Sequence, residues 1–141
     1  MSKANNLSGF NILHQNASSV GSIILESYNN NFKNLLLSDV IFLLNADEVK
    51  IDKQSNQFII YQGTHGGENA SLADVVLPGA AFTEKEGIFV NLEGRPQLAN
   101  KASYPPGNAK EDWKIIKALS DVFNKPLNFN SLEAVSYTHL T

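Results

Sequence analysis

Gln57-Phe-Ile-Ile-Tyr61 is apolar from its second residue to its last, is built of β-branched and aromatic residues, and is followed by a turn former at Gly63. Two more runs share that character: Asp39-Val-Ile-Phe-Leu-Leu44, closed by Asn45, and Asp74-Val-Val-Leu77, closed by Pro78. All three read as strands. None alternates apolar with polar residues, as a half-solvated strand does, so each is expected to be covered on both faces like parallel strands in an α/β layer. The fold class that follows is α/β, a Rossmann-like, mostly parallel sheet with flanking helices. The connections, Asn45 to Asn56 and Gly63 to Ala73, are near the lower limit for a parallel crossover and leave room for roughly two or three helical turns each.

The clearest helix lies further on. Pro105-Pro106-Gly107 breaks the chain, Asn108 stands ready as a cap, and Glu111 follows three residues later as in a capping box. About four turns follow, with Trp113, Ile116, Leu119 and Phe123 on the stripe expected to pack on the sheet and Lys110, Lys114, Lys117 and Asp121 toward water. Asn124-Lys125-Pro126 ends the helix. Upstream, Phe10 to Leu25 mixes apolar residues with Ser18, Ser19 and Gly21 and reads as a helix plus loop. Between Glu84 and Gln97, the alternation Ile88, Val90, Leu92 with glycines at 87 and 94 points to an extended excursion or irregular hairpin. There is no internal repeat. The last residues, 135–141, continue no pattern and are set apart from the fold as a non-native or irregular tail, leaving 1–134 as a fragment of one domain; Met1 is taken as internal to a longer polypeptide.

Composition narrows the function. Hydrophobic residues make up 43% of the 141 and charged residues 18%, which is globular rather than disordered. With 11 basic against 14 acidic side chains the formal charge is −3, and no cationic field exists to hold nucleic acid or an anionic membrane. No cysteine is present, which removes disulfides, thiolate nucleophiles and any cysteine-ligated iron–sulfur cluster from these residues. Neither a signal peptide nor an apolar run of about 18 residues is present, so a soluble, intracellular chain without direct membrane insertion is expected.

Candidate chemistry is sparse. Gly63-Thr64-His65-Gly66-Gly67 follows a strand and precedes a short helix, where backbone N–H groups could meet a phosphate. Its spacing matches neither the dinucleotide nor the Walker A pattern and no lysine follows, so a structural turn is the better reading. His65 lacks a second ligand at metal-binding spacing, and His14 and His139 have less support still. Asp39 and Asp74 open strands, where a carboxylate takes backbone hydrogen bonds; Asp47 and Glu48 read as a solvated loop. Glu84, Glu86, Glu93 and Arg95 cluster in sequence, and an ion pair that pins an irregular loop is favoured over acid–base work. No catalytic, cofactor-binding or metal-ligating residue is assigned.

That same stretch carries a family signature. Ala73-Asp-Val-Val-Leu-Pro-Gly79, then Glu84, Glu86-Gly87, Asn91-Leu-Glu-Gly-Arg95 and Gln97 resemble the molybdopterin oxidoreductase superfamily, in which an ADVVLP strand leads to an E-x-x-G-T-x-x-N-x-E-G-R-x-Q segment. Ile88 stands where threonine is usual. Within the superfamily the chain most resembles the G-type, large iron–sulfur subunits of respiratory NADH:quinone oxidoreductase (complex I). Four segments carry this: Gly9-Phe-Asn-Ile-Leu-His14 with Ala17-Ser18 and Val20-Gly21; Phe58-Ile-Ile-Tyr-Gln-Gly63 with His65-Gly66; the Ala73 to Gly87 run; and Pro105-Pro-Gly107 followed by Glu111-Asp-Trp-Lys-Ile-Ile-Lys-Ala-Leu-Ser120.

The resemblance implies an intact subunit with 2Fe-2S and 4Fe-4S clusters in its N-terminal part, passing electrons from NADH toward quinone, and a C-terminal part that keeps the fold without a pterin. These residues look like the latter. The implied role is a cofactor-free scaffold in the peripheral arm, packed on other complex I subunits. Its place would be the cytoplasmic face of a bacterial inner membrane or the matrix side of the mitochondrial one. The alternative is a fragment of an active molybdopterin enzyme such as a formate dehydrogenase; a third reading is a stand-alone Rossmann-like binding module.

Overall fold

The computed structural model describes residues 19–27 and 32–137. His14, His139, residues 10–18 of the expected first helix and residues 138–141 of the tail lie outside them. The described residues form two compact units: residues 19–27 with Ile88–Leu98, and residues 32–87 with 99–137.

In the first unit a short helix, α1 (Ser19–Ile24), accompanies two short strands introduced below. The second unit begins with α2 (Phe32–Leu35) and holds the three expected strands, β1 (Val40–Leu44), β2 (Phe58–Gly63) and β3 (Val75–Pro78), each starting one residue later than the apolar runs suggested. They pair in parallel in the order β1-β2-β3. Val40 lies opposite Phe58 and Ile60 opposite Val75, so even-numbered β1 residues and Phe58, Ile60 and Val75 share one face. Ile41, Leu43, Ile59 and Tyr61 share the other and make the core cluster, covered by Ala46 and Ile51 of the first connection and by Ala70 and Ala73 of the second.

The first connection holds no helix, against expectation, and the second only the five-residue α3 (Glu68–Leu72). Side-chain amides do the work instead. Asn69, buried in α3, donates from Nδ2 to the carbonyls of Ala46 and Val49, both at 2.8 Å, and buried Gln57 donates to the carbonyls of Leu36 (2.7 Å) and Ser38 (3.1 Å) while accepting from Gln54 N–H. Each bond satisfies a loop backbone group that no ladder reaches.

The expectation of two covered faces fails. Val40 is 60% exposed, Phe42 40% and Phe58 45%, so the even face stands largely open. The helix expected to pack there, α4 (Asp112–Val122), is eleven residues or about three turns long and buries none of its side chains. It starts three residues later than the Asn108 cap implied. Ala109 N–H closes a turn on the Pro106 carbonyl (3.1 Å) and Lys110 is spent on the sheet: its N–H donates to the Pro78 carbonyl (3.1 Å) and its carbonyl accepts from Ala80 N–H (2.8 Å), which holds the backbone extended up to Glu111, the actual cap residue. The helix ends as read, at Phe123, with Asn124 in the left-handed region (φ 55°) ahead of Pro126.

Between Glu84 and Gln97 the hairpin is present: β4 (Gly87–Val90) pairs with β5 (Pro96–Ala99) around a turn held by the Asn91 side chain, which accepts from the N–H groups of Glu93 (3.0 Å) and Arg95 (2.8 Å), with Gly94 at φ 81°. Within the first unit Gly21 of α1 lies over Val90. At the end of the chain, α5 (Leu132–Tyr137) runs across the 134/135 boundary drawn from sequence.

Candidate functional site

Parallel sheets take ligands outside the carboxyl ends of their strands. Here those ends are Gly63 and Pro78, and the polar side chains near them are bonded to one another. Gln62, fully buried in β2, donates from Nε2 to Asp112 Oδ1 at 2.8 Å, and the other oxygen of Asp112 accepts from Lys85 Nζ in a part-buried ion pair. Gly79 admits the carboxylate: a Cβ there would come within 3.3 Å of Asp112 Oδ1. The chain Gln62–Asp112–Lys85 therefore fastens the first turn of α4 and the 80–86 loop to the sheet. Gln62 Oε1 is left without a partner among the described residues.

The Gly63 turn has a packing contact that the sequence did not show. The Tyr61 hydroxyl passes directly over Gly63, whose Cβ would lie 2.3 Å from it. That hydroxyl sits 3.0 Å from the His65 carbonyl and donates its one proton to Asp47, the charged and stronger acceptor. Burial, and then the hydrogen bond and charge of Asp47, push the phenol up to about 12. Asp47 stays exposed in its turn, as expected, and its carboxylate also ties that turn to the sheet through Tyr61. Gly66 and Gly67 have neither positive φ nor a close neighbour, and α3 is a helix of five residues, too short to hold an anion at its start. The His65 ring nitrogen Nδ1 lies 2.9 Å from the Thr64 hydroxyl.

At the opposite end of the strands, Asp74 does what a strand-opening carboxylate was expected to do. It accepts from Ile59 N–H and from Lys53 Nζ, both at 2.7 Å, and Lys53 also donates to the Leu72 carbonyl. The Lys53 bond first, and the Ile59 N–H second, hold its carboxyl below the usual carboxylate range. Asp39 accepts weakly from Asn56 (3.4 Å).

The sequence cluster of acids and Arg95 is divided between the two units. Glu84 and Glu86 belong to one unit and Glu93 and Arg95 to the other. Glu84 accepts the Ala81 N–H of its own turn (3.0 Å), and no ion pair of Arg95 occurs among the described residues. The carboxylate that does gather partners is Glu111, passed over in the sequence except as a cap. It accepts from the Trp113 indole N–H (3.0 Å) and Lys114 (3.1 Å), with Lys101 at 3.6 Å. Burial works to raise its carboxyl, but these three donors outweigh that and hold it below the usual range. Beside it Glu86, Lys101, Ser103 and Tyr104 line a polar hollow of about 500 Å³.

A second hollow is apolar: Phe42 and Leu44 of β1, Ile116, Leu119 and Phe123 of α4, and Leu127 line an open groove of about 570 Å³ with Lys125 and Ser120 at its edge. Where the α4 stripe was expected to pack, this groove stands. Among the described residues no group of three or more His, Cys, Asp or Glu could hold a metal ion, and no helix is long and apolar enough to cross a membrane.

Comparison with known proteins gives these features a context. The family model described as molybdopterin oxidoreductase matches residues 1–122. The chain is 49% identical over 139 residues to the NADH-ubiquinone oxidoreductase 75 kDa subunit of Reclinomonas americana, covering 94% of this chain and 20% of that protein. It is 46% identical over 127 residues to the G subunit of NADH-quinone oxidoreductase from Rickettsia bellii (90% of this chain, 18% of that protein). It is 45% identical over 128 residues to the mitochondrial 78 kDa subunit of NADH-ubiquinone oxidoreductase from Candida albicans (90% and 18%). The chain spans about a fifth of the length of the curated relatives it matches.

Proposed function

The chain belongs to the molybdopterin oxidoreductase family, and on that premise we propose that it is part of the G-type subunit of an NADH:quinone oxidoreductase, in which it serves as a cofactor-free structural domain. The observation that carries this reading is the 45–49% identity to subunits so named, sustained over at least 90% of the chain. The chemistry of the residues supports it. An iron–sulfur cluster needs thiolates, and these 141 residues contain no cysteine. The family implies a phosphate-bearing pterin, and the residues at the carboxyl end of this sheet do not fit one: the Lys85 ammonium and the Gln62 amide are spent on Asp112, and the space above Gly63 is filled by Tyr61. No residue is given a catalytic role. The electron-carrying clusters, 2Fe-2S and 4Fe-4S, belong to other parts of the subunit. The domain's partners are peripheral-arm subunits, on the cytoplasmic face of a bacterial inner membrane or the matrix side of the mitochondrial one, and residues 1–134 are its share of the fold.

Native electrophoresis of solubilised respiratory membranes, with peptides of this chain located by mass spectrometry, tests the assignment. The peptides are expected in the band with NADH:quinone reductase activity. Peptides that instead follow a formate dehydrogenase activity would establish the alternative, an active molybdopterin enzyme.

A further inference from the structure

The outer edge of β1 and the groove beside it lie together. In a parallel ladder the N–H and C=O of one residue point to the same neighbour and those of the next residue to the other side. Asn45 N–H donates to the Gln62 carbonyl and the Asp39 carbonyl accepts from Phe58 N–H, both at 2.8 Å, so the odd residues 39–45 face β2. Val40, Phe42 and Leu44 therefore turn their backbone groups to the outer edge, where no strand pairs with them among the described residues. The side chains of Phe42 and Leu44 also form the sheet's entire contribution to the apolar groove, whose far wall is α4. An unpaired apolar edge strand is an aggregation hazard that folded proteins cover. Parallel sheets gain strands through crossovers that lay a helix on the face of the sheet.

We propose that β1 is an internal strand of a larger parallel sheet: a strand of the same polypeptide outside residues 1–141 pairs parallel to its outer edge, and the helix joined to that strand lies in the groove beside α4. The same polypeptide is the occupant because the relatives are about five times as long as this chain and because one strand–helix unit satisfies both vacancies at once. Residues 1–18 are a poor source by composition, with a single β-branched residue, Ile12, among them. Lys125 at the rim calls for a carboxylate on the incoming helix. The inference rests on the reading of the chain as a segment of a larger subunit.

Hydrogen exchange with fragmentation to single residues, on the full-length subunit purified in its native assembly, reads the edge directly. The amides of Val40, Phe42 and Leu44 are expected to exchange at least about a hundredfold more slowly than free amides, as ladder amides do, and to stay slow when the subunit is diluted or separated from its neighbours. Exchange at the free rate overturns the proposal. Protection that disappears on dilution or on separation overturns it too, because the edge would then be covered by a second copy or by a different subunit. Slow exchange in a protein that travels with formate dehydrogenase activity would leave the completed sheet standing and remove only the enzyme assignment.

Discussion

Two faces of one three-stranded sheet are built from the same kinds of residue and end in opposite states. On the odd face Ile59 and Tyr61 are 0% and 1% exposed, sealed by two short connections and the side-chain amides of Asn69 and Gln57. On the even face Phe42, Leu44 and Phe58 are 40–45% exposed and α4 stands off across an open groove. The difference lies in what each face can reach within the chain. Connections of a dozen residues fold back over the face from which they depart, and nothing among the described residues completes the other. Stability should therefore depend on the closed face and solubility on the open one.

Four substitutions sharpen that contrast. Ile59→Ala removes a fully buried side chain from the closed face and is expected to cost about 2–5 kcal/mol, a large part of a domain's total of about 5–15. A denaturant midpoint unchanged within error would show that the closed face is not the core. Gly63→Ala drives a methyl into the Tyr61 hydroxyl and should cost about 1–3 kcal/mol through overpacking. It should also release the phenol from Asp47, so that its titration, followed by ultraviolet absorbance, falls from about 12 toward the ordinary 10; in the parent, the stability tied to the neutral phenol is full below 10 and lost as pH rises through 12.

Asp74→Asn acts at the amino end of the strands. The carboxyl of Asp74 is lowered on folding, so its contribution is present above the ordinary 3.8 and fades as pH falls through the folded value. The variant should lose stability at neutral pH and converge on the parent as pH falls below the ordinary 3.8 and through the lowered folded value; parallel curves across the acid range would remove Lys53 and Ile59 as the cause. Phe123→Ser, on the open groove at 67% exposure, should change stability by no more than about 0.5 kcal/mol while raising the solubility of the 141-residue chain, measured as the concentration at which it begins to scatter light.

The contrast also marks how far the sequence could be read. The strands, their parallel pairing, the hairpin around Asn91 and the end of α4 at Asn124 were legible because each rests on local preference: β-branched runs, an Asn side chain that closes its own turn, a residue tolerant of positive φ. The start of α4 was not. Lys110 is drawn into the ladder by Pro78 and Ala80, partners about thirty residues away, and a tertiary bond overrode a plausible capping box. Apolar runs without alternation signalled the strands, but not that one of their faces would stand open among the described residues. The Tyr61–Asp47 and Gln62–Asp112–Lys85 contacts join residues 14, 50 and 27 positions apart, and only one clue was local: a glutamine at position 62 inside an otherwise apolar strand.

The central claim is that this domain keeps the molybdopterin oxidoreductase fold while serving as scaffold without the cofactor. Elemental analysis of the full-length subunit, purified natively and quantified by amino-acid content, addresses it most directly. Iron is expected, from clusters held elsewhere in the polypeptide, with molybdenum and tungsten at background. About one molybdenum or tungsten atom per chain would contradict the account.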